Sequence, residues 1–112
     1  YGAIAALDGP DDPISFMMEK FTKRRSIIVE GLNSIKGVEC VTPGGGFYAF
    51  PKVTGTGLNG QEFAKKCLHD AGVAIVPGTA FGKKAVEHVR FSFAASQDNI
   101  IQAIENIKKM LT

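Results

Sequence analysis

The sequence predicts an α+β fold, in which helices cover one small antiparallel or mixed sheet. Two stretches carry apolar residues at helical spacing, over residues 13–35 and from Ser96 onward, whereas residues 88–94 alternate apolar and polar side chains as a strand does. A helix-forming stretch also lies between two strand-forming ones, which indicates a right-handed βαβ crossover. Together these patterns predict a split βαβ sheet with helices packed on it.

The first elements are a long helix and the stretch before it. Asp12 and Pro13 favour a helix start, because an N-cap residue is followed by proline in the first turn. Apolar residues continue at helical spacing to Ile35, and Gly37 is expected to stop the helix. Residues 1–8 are expected to be the tail of an earlier helix that has been cut away.

Two strands and a capped helix are predicted next. Residues 38–43 form the first strand and residues 44–53 the second, with Phe47 on one face and Tyr48 and Phe50 on the other. Residues 54–60 are expected to form a loop. The following helix begins with a capping box, in which Asn59 is the N-cap and Glu62 its partner, and ends at Gly72.

The remaining elements complete one sheet. Residues 73–78 predict a third strand, residues 88–94 a fourth, and Ser96 is expected to cap the last helix. The second and third strands are parallel because a helix connects them. The fourth strand is expected to lie between residues 47–50 and 73–76, antiparallel to both.

Length and charge restrict the class of protein. A chain of 112 residues fits one domain with a real core, and thirteen basic minus eleven acidic residues leave a net charge of +2. That charge is too small to favour nucleic acid or a membrane surface, and no transmembrane run or signal peptide is visible. Cys40 and Cys67 lack metal-like spacing, so two reduced thiols in the cytoplasm are expected.

Two glycine-rich stretches resemble nucleotide motifs. "GTGLNG" at residues 55–60 matches G-x-G-x-x-G, but the next strand ends at Val76-Pro77-Gly78 without the acid that would bind a ribose. A flexible surface loop is therefore favoured over a dinucleotide site. "GTAFGKK" at residues 78–84 is one residue short of a phosphate loop, and Lys84 stands where Ser or Thr would bind magnesium.

Arg90 is the main candidate for function. Val89, Phe91 and Phe93 point to one face of the predicted strand, and Arg90 lies on the other. Burying an arginine is costly unless an anion meets it. From the residues alone, a structural salt bridge is favoured over a ligand site.

Three stretches carry a family resemblance. "FTKRRSIIVEGLNSIKGVECVTPGGGFYAFPKV", "EFAKKCLHDAGVAIVPGTAFG" and "HVRFSFAASQDNIIQAIENIKKML" follow one another in this order. Together they resemble the C-terminal end of the class I and II aminotransferases, fold-type I enzymes that use pyridoxal phosphate, of the aspartate aminotransferase kind. The resemblance covers the chain from about Tyr1 to Leu111. Ser26 departs from the family, which often has aspartate after the paired arginines.

The resemblance implies roles for two residues. Arg90 is similar to the arginine that binds the substrate α-carboxylate, and Tyr48 would form part of the site wall. A guanidinium can hold a carboxylate by two parallel charge-assisted hydrogen bonds. The resulting orientation would align the substrate Cα–H bond with the cofactor, as transamination requires.

The resemblance also implies what these 112 residues lack. The family's catalytic lysine and its cofactor-binding residues lie in a large domain that precedes this segment. Residues 1–112 are thus expected to be a small, substrate-closing domain that has no catalytic, cofactor-binding or metal-binding residue and is inactive alone. The parent enzyme would act on an amino acid and a 2-oxo acid as a homodimer.

A different class of protein remains open, a stand-alone ferredoxin-like regulatory or interaction module. The module predicts a closed, polar exterior. The aminotransferase domain instead predicts exposed apolar residues, namely Tyr1, Ile4 and some of Met17, Met18 and Tyr48. Neither reading identifies the amino acid, nor separates a transaminase from the lyases and synthases of the same family.

Overall fold

The computed structural model describes residues 1–111, and these form a small α+β unit. The helices are α1 (Gly2–Asp8), α2 (Asp12–Asn33), α3 (Gly60–Lys66) and α4 (Gln97–Leu111). The strands are β1 (Tyr48–Ala49), β2 (Val76–Pro77) and β3 (Val89–Ser92). A π-helical turn, Cys67–Ala71, extends α3, and short 3₁₀ turns occur at Thr54–Thr56, Gly78–Ala80 and Lys83–Ala85.

The three strands form one sheet with β3 in the centre. The spatial order is β1-β3-β2, and β3 is antiparallel to both neighbours. Tyr48 lies opposite Ser92, and Val76 lies opposite Arg90. The predicted position of the Arg90 strand, between two strands that are parallel to each other, is therefore confirmed.

The predicted strand over residues 38–43 is wrong in extent. It reduces to a single bridge between Glu39 and Lys52. Beyond that bridge the Cys40 backbone N–H donates to Asn33 Oδ1 at 2.8 Å, and the Cys40 carbonyl accepts from Asn33 Nδ2 at 3.0 Å. Since both backbone groups of Cys40 bind a helix side chain, they cannot continue a ladder.

The third strand is also shorter than the predicted residues 73–78. It pairs with β3 only at Val76–Pro77. The Val73 backbone N–H donates instead to the Cys67 carbonyl at 3.0 Å, which closes the π-helical turn after α3. The chain therefore joins the sheet three residues later than its apolar pattern suggests.

The starts of α3 and α4 follow local sequence signals, whereas the predicted N-cap Asp12 is wrong, because α2 begins at Asp12 with Asp11 as an N-cap that makes no capping side-chain hydrogen bond. Asn59 Oδ1 accepts from the Glu62 N–H at 2.9 Å and Glu62 Oε1 accepts from the Asn59 N–H at 3.1 Å, so the capping box is confirmed. Ser96 Oγ accepts from the Asn99 N–H at 3.1 Å, as its predicted capping role requires. Residues 1–8 include a short helix of their own, and α2 ends at Asn33, two residues before the predicted end.

The core lies between β3 and the helices. Val89, Phe91 and Phe93, on the predicted apolar face of β3, are all buried. They belong to one cluster with apolar side chains of α2, α3 and α4, which includes Phe63 and Ile107, both fully buried. Burial of these side chains is the main favourable term in folding.

The glycine-rich stretch at residues 55–60 is packed rather than free. A Cβ atom on Gly55 would lie 2.6 Å from Gly37 Cα, so the two backbones touch where no side chain fits. Residues 54–56 of the predicted loop form a 3₁₀ turn, and Gly55 touches Gly37 in the segment that follows α2. The antiparallel central strand also lacks the parallel neighbours that a dinucleotide fold needs.

The two cysteines are free and buried, and we expect them to resist thiol reagents. Burial raises the pKa of the Cys67 thiol to about 12 and raises that of Cys40. Because the thiolate is the reactive form, neither should be labelled by a disulfide reagent at pH 8 until the chain unfolds. Stoichiometric labelling in the absence of denaturant would contradict this burial.

The same shift makes stability fall at alkaline pH. An unfolded thiol ionises near pH 8.5, whereas folded Cys67 stays protonated up to about pH 12. The unfolded state therefore releases protons first, and the free energy of unfolding decreases as the pH rises through this window.

Candidate functional site

Arg90 lies on the central strand, on the face opposite the core. Its neighbours Val89 and Phe91 are buried, whereas Arg90 is half-buried and Ser92 is exposed. The alternation predicted from the sequence is confirmed. The buried side chains of β3 anchor its backbone in the core, and the Arg90 guanidinium lies on the opposite, outer face.

Two aromatic rings contact the Arg90 guanidinium. Arg90 Cζ lies 4.2 Å from the centroid of the Tyr48 ring and 4.6 Å from that of the Phe81 ring. The pairing of Tyr48 with Ser92 puts Tyr48 one diagonal step from Arg90 on the same face. The structure thus brings together the two site residues that the resemblance singles out.

Phe81 reaches the site from the turn after β2. The Gly78 N–H donates to the His88 carbonyl at 2.7 Å, and the Phe81 N–H donates to the Gly78 carbonyl at 2.9 Å. A Cβ atom on Gly78 would clash with the Ala85 carbonyl oxygen, so this close approach requires glycine. The backbone that carries Phe81 is therefore tied to the segment that leads into β3.

Phe50 and His88 extend the set of rings. Their ring centroids are 5.1 Å apart with an interplanar angle of 14°, and Phe50 also meets Phe81 edge-on at 6.3 Å. We refer to Tyr48, Phe50, Phe81 and His88 as the aromatic cluster. His88 Nδ1 is buried and has no hydrogen-bond partner among residues 1–111.

No carboxylate of residues 1–111 neutralises Arg90. The salt bridge found in this part of the chain joins Lys52 and Glu87, at 3.4 Å on the exposed surface. No hydrogen bond from the Arg90 guanidinium to an acceptor in residues 1–111 is found either. The structural salt bridge favoured from residue type alone is therefore absent here, and the N–H donors remain available to an external anion.

The lysines do not offer a nucleophile. All ten are exposed except Lys66, which is half-buried. An amine is activated by a desolvated pocket or a neighbouring cation, and exposed positions in polar surroundings supply neither. Within residues 1–111 no group of three metal-ligating side chains occurs.

Fifteen large apolar side chains of residues 1–111 are exposed. Tyr1, Ile4, Met17, Met18 and Tyr48 are all exposed, as the aminotransferase hypothesis predicts. Helix α1 buries none of its residues. A closed polar exterior, expected of a stand-alone module, is not what the described residues form. None of their helices combines the length and apolar character needed to cross a membrane.

Phe81 and the Phe50–His88 pair were not predicted as site residues. The pattern "GTAFGKK" suggests a phosphate loop, which draws attention to its glycines and lysines and not to Phe81. A usable signal was present, because an apolar aromatic in a turn between two strands of one sheet has no core position to fill.

The chain is similar in sequence and in structure to known aminotransferases. The family model "Aminotransferase class I and II" matches residues 1–107. Aspartate aminotransferase of Bacillus subtilis is 42% identical over 99% of this chain, and that of Musicola paradisiaca is 39% identical over 99%. The solved structure of alanine aminotransferase from Pyrococcus furiosus superposes on 97% of this chain, with a TM-score of 0.92 and 36% identity.

The matches cover only part of each relative. The chain spans 29% of the Bacillus subtilis protein, 28% of the Musicola paradisiaca protein and 28% of the Pyrococcus furiosus chain. The matched segment therefore makes up a little over a quarter of the length of each of these relatives.

Proposed function

Because the chain belongs to the class I and II aminotransferases, we propose that it is the C-terminal small domain of an enzyme that transfers an amino group between an amino acid and a 2-oxo acid. Residues 1–112 would close over the substrate, and the rest of such an enzyme would supply the catalytic lysine. One observation carries this proposal. Arg90 presents free N–H donors from the central strand of a segment that matches the family.

The proposed task of Arg90 is to bind the α-carboxylate. Its planar guanidinium can donate two parallel charge-assisted hydrogen bonds, which fix both the position and the orientation of a carboxylate. Tyr48 contacts the guanidinium and would form the wall beside it. A carboxylate held this way has a fixed position and a fixed plane, so one end of the substrate is anchored while contacts elsewhere in the enzyme orient the rest.

The residues present do not form a site for pyridoxal phosphate, the cofactor that this family uses. Such a site needs a desolvated lysine, and none of the ten lysines is buried. We therefore assign the chain substrate binding and closure, and assign the cofactor to the part of the enzyme outside this segment. The chain alone is proposed to be inactive.

The exposed apolar surface fits a domain that packs against other parts of an enzyme. Patches larger than a few hundred Å² are uncommon on monomers. Ile14, Met17, Met18 and Phe47 are exposed and line one groove beside residues 44–46. We propose that the large domain and, in a homodimer, a second subunit cover such surfaces. Two free buried thiols are compatible with a reducing, cytoplasmic location.

The test is reduction with borohydride in the presence of pyridoxal phosphate. The 112-residue chain should give only scattered weak labelling of surface lysines, whereas the complete enzyme should give one stoichiometric adduct on a lysine outside this segment. Peptide mass analysis locates the adduct, and a coupled assay with an amino acid and a 2-oxo acid measures transfer. One stoichiometric adduct on a lysine between Lys20 and Lys109 would refute the proposal that the catalytic lysine lies outside this segment.

A further inference from the structure

We propose that Phe81 is a positioning residue for Arg90, and that its ring, with that of Tyr48, holds the guanidinium ready for a carboxylate. This inference rests on the proposed function of Arg90 as the carboxylate-binding residue. It adds a residue from the turn between β2 and β3 that does not itself need to touch the substrate.

The contacts of the guanidinium carry the argument. Its Cζ lies 4.2 Å from the Tyr48 centroid and 4.6 Å from the Phe81 centroid. A cation placed over a ring is attracted by the ring's quadrupole, and contact through the flat face leaves the N–H edge free to donate. No acceptor in residues 1–111 competes for those donors, so the two rings are what orient the group in this part of the molecule.

Orientation matters because a free arginine side chain is flexible. A half-exposed arginine without partners would sample many rotamers, and binding a carboxylate would require that freedom to be lost. Contact with two rings removes part of it before the ligand arrives. The predicted consequence is a lower KM for the amino acid, with little change in the rate once substrate is bound.

Phe81 is itself supported. The Phe50 ring meets Phe81 edge-on, and Phe50 is stacked on His88. The turn that carries Phe81 is tied to the start of β3 by the hydrogen bond from Gly78 to His88. Ring contacts and a backbone hydrogen bond thus link Phe81 to the strand that carries Arg90, although Phe81 is 54% exposed and contributes little to the core.

The experiment compares variants of the complete enzyme. Phe81→Leu should raise KM for the amino acid about three- to tenfold, because immobilising one rotamer-rich side chain on binding costs a factor of about 2–13 in affinity. The kcat value should stay within about twofold, and Phe81→Tyr, which keeps the ring, should restore KM. Phe81→Met is a second ringless variant and should match Phe81→Leu. Leu68→Ala, an exposed truncation outside the aromatic cluster, is the control.

A double-mutant cycle separates positioning from direct substrate contact. If Phe81 acts through Arg90, Phe81→Leu should change kcat/KM by less than about twofold in an Arg90→Gln background. An undiminished effect there would overturn the inference, as would a KM for Phe81→Tyr as high as that for Phe81→Leu. If Arg90→Gln leaves kcat/KM unchanged, the role proposed for Arg90 fails. If Arg90→Gln raises KM while Phe81→Leu does not, only the inference about Phe81 fails.

Discussion

Arg90→Lys is expected to lower kcat/KM of the complete enzyme for its amino acid by about ten- to a hundredfold, and Arg90→Ala is expected to lower it further. Lysine keeps the charge but loses the two-pronged geometry. One hydrogen bond to a charged group is worth about 1.5–3 kcal/mol, and about 1.4 kcal/mol corresponds to a tenfold change in rate. Alanine also leaves the substrate carboxylate unpaired in a partly desolvated site, which adds to the loss.

The measurement is kcat/KM beside melting temperature and cofactor absorbance. Both Arg90 variants should keep the fold and the cofactor, because Arg90 makes no ion pair within residues 1–111 and its side chain lies outside the core. Arg24→Lys is a matched control, since Arg24 also lies over a ring, that of Phe21, but on α2. If Arg90→Ala unfolds the protein while Arg90→Lys leaves kcat/KM unchanged, Arg90 is a structural residue.

Phe93→Ala is expected to lower the stability of the fold, whereas the Arg90 variants are expected to lower kcat/KM and keep the fold. Phe93 is buried to 1% exposure and meets Phe21 edge-on at 6.2 Å, so its loss leaves a cavity in the core. Truncating a buried phenylalanine costs about 3–5 kcal/mol. At roughly 4 °C or more per kcal/mol, the melting temperature should fall by at least about 12 °C.

Thermal unfolding of the 112-residue chain, followed by circular dichroism, measures this effect. Phe16→Ala is the matched control, because Phe16 is exposed on α2 and surface changes usually stay within about 0.5 kcal/mol. Equal melting temperatures for the two variants would mean that the inner face of β3 is not part of the core.

These two predictions concern the two faces of β3, one for binding and one for the core. The side chains on each face could be predicted because they alternate along the strand. A period of two assigns Val89, Phe91 and Phe93 to one face and Arg90 to the other without any tertiary information. The helix ends followed from side chains that cap their own backbone, as at Asn59 and Ser96. The position of β3 followed from the crossover rule, which depends on connectivity alone.

The strand lengths could not be predicted, because hydrogen bonds outside the sheet take up backbone groups that the strands would need. Asn33 takes both backbone groups of Cys40 away from a ladder, and Cys67 accepts the N–H of Val73. Each bond joins residues at least six positions apart in a geometry that has no periodic signature. An apolar, β-branched run predicts a strand whether or not its backbone donors are free.

In the candidate site, residues on the regular strands could be predicted and the residue in a turn could not. Arg90 could be placed opposite the core by strand alternation, whereas Tyr48 followed only from the family resemblance. Phe81 could not be placed, because it lies in a turn whose shape depends on the Gly78–His88 hydrogen bond and on close backbone packing. Irregular segments carry function on a regular scaffold, and their side-chain directions follow no short period.

The central position of β3 also constrains how the chain folds during synthesis. Strands β1 and β2 are not paired with each other, and each pairs only with β3, the last strand in the sequence. A nascent chain on the ribosome therefore cannot close this sheet until Val89–Ser92 has left the exit tunnel. Until then two strands remain unpaired, which is the exposure that chaperones recognise. Arg90 thus reaches its position in the same step that completes the sheet, so a chain that ends before residue 89 has neither the site nor the three-stranded sheet.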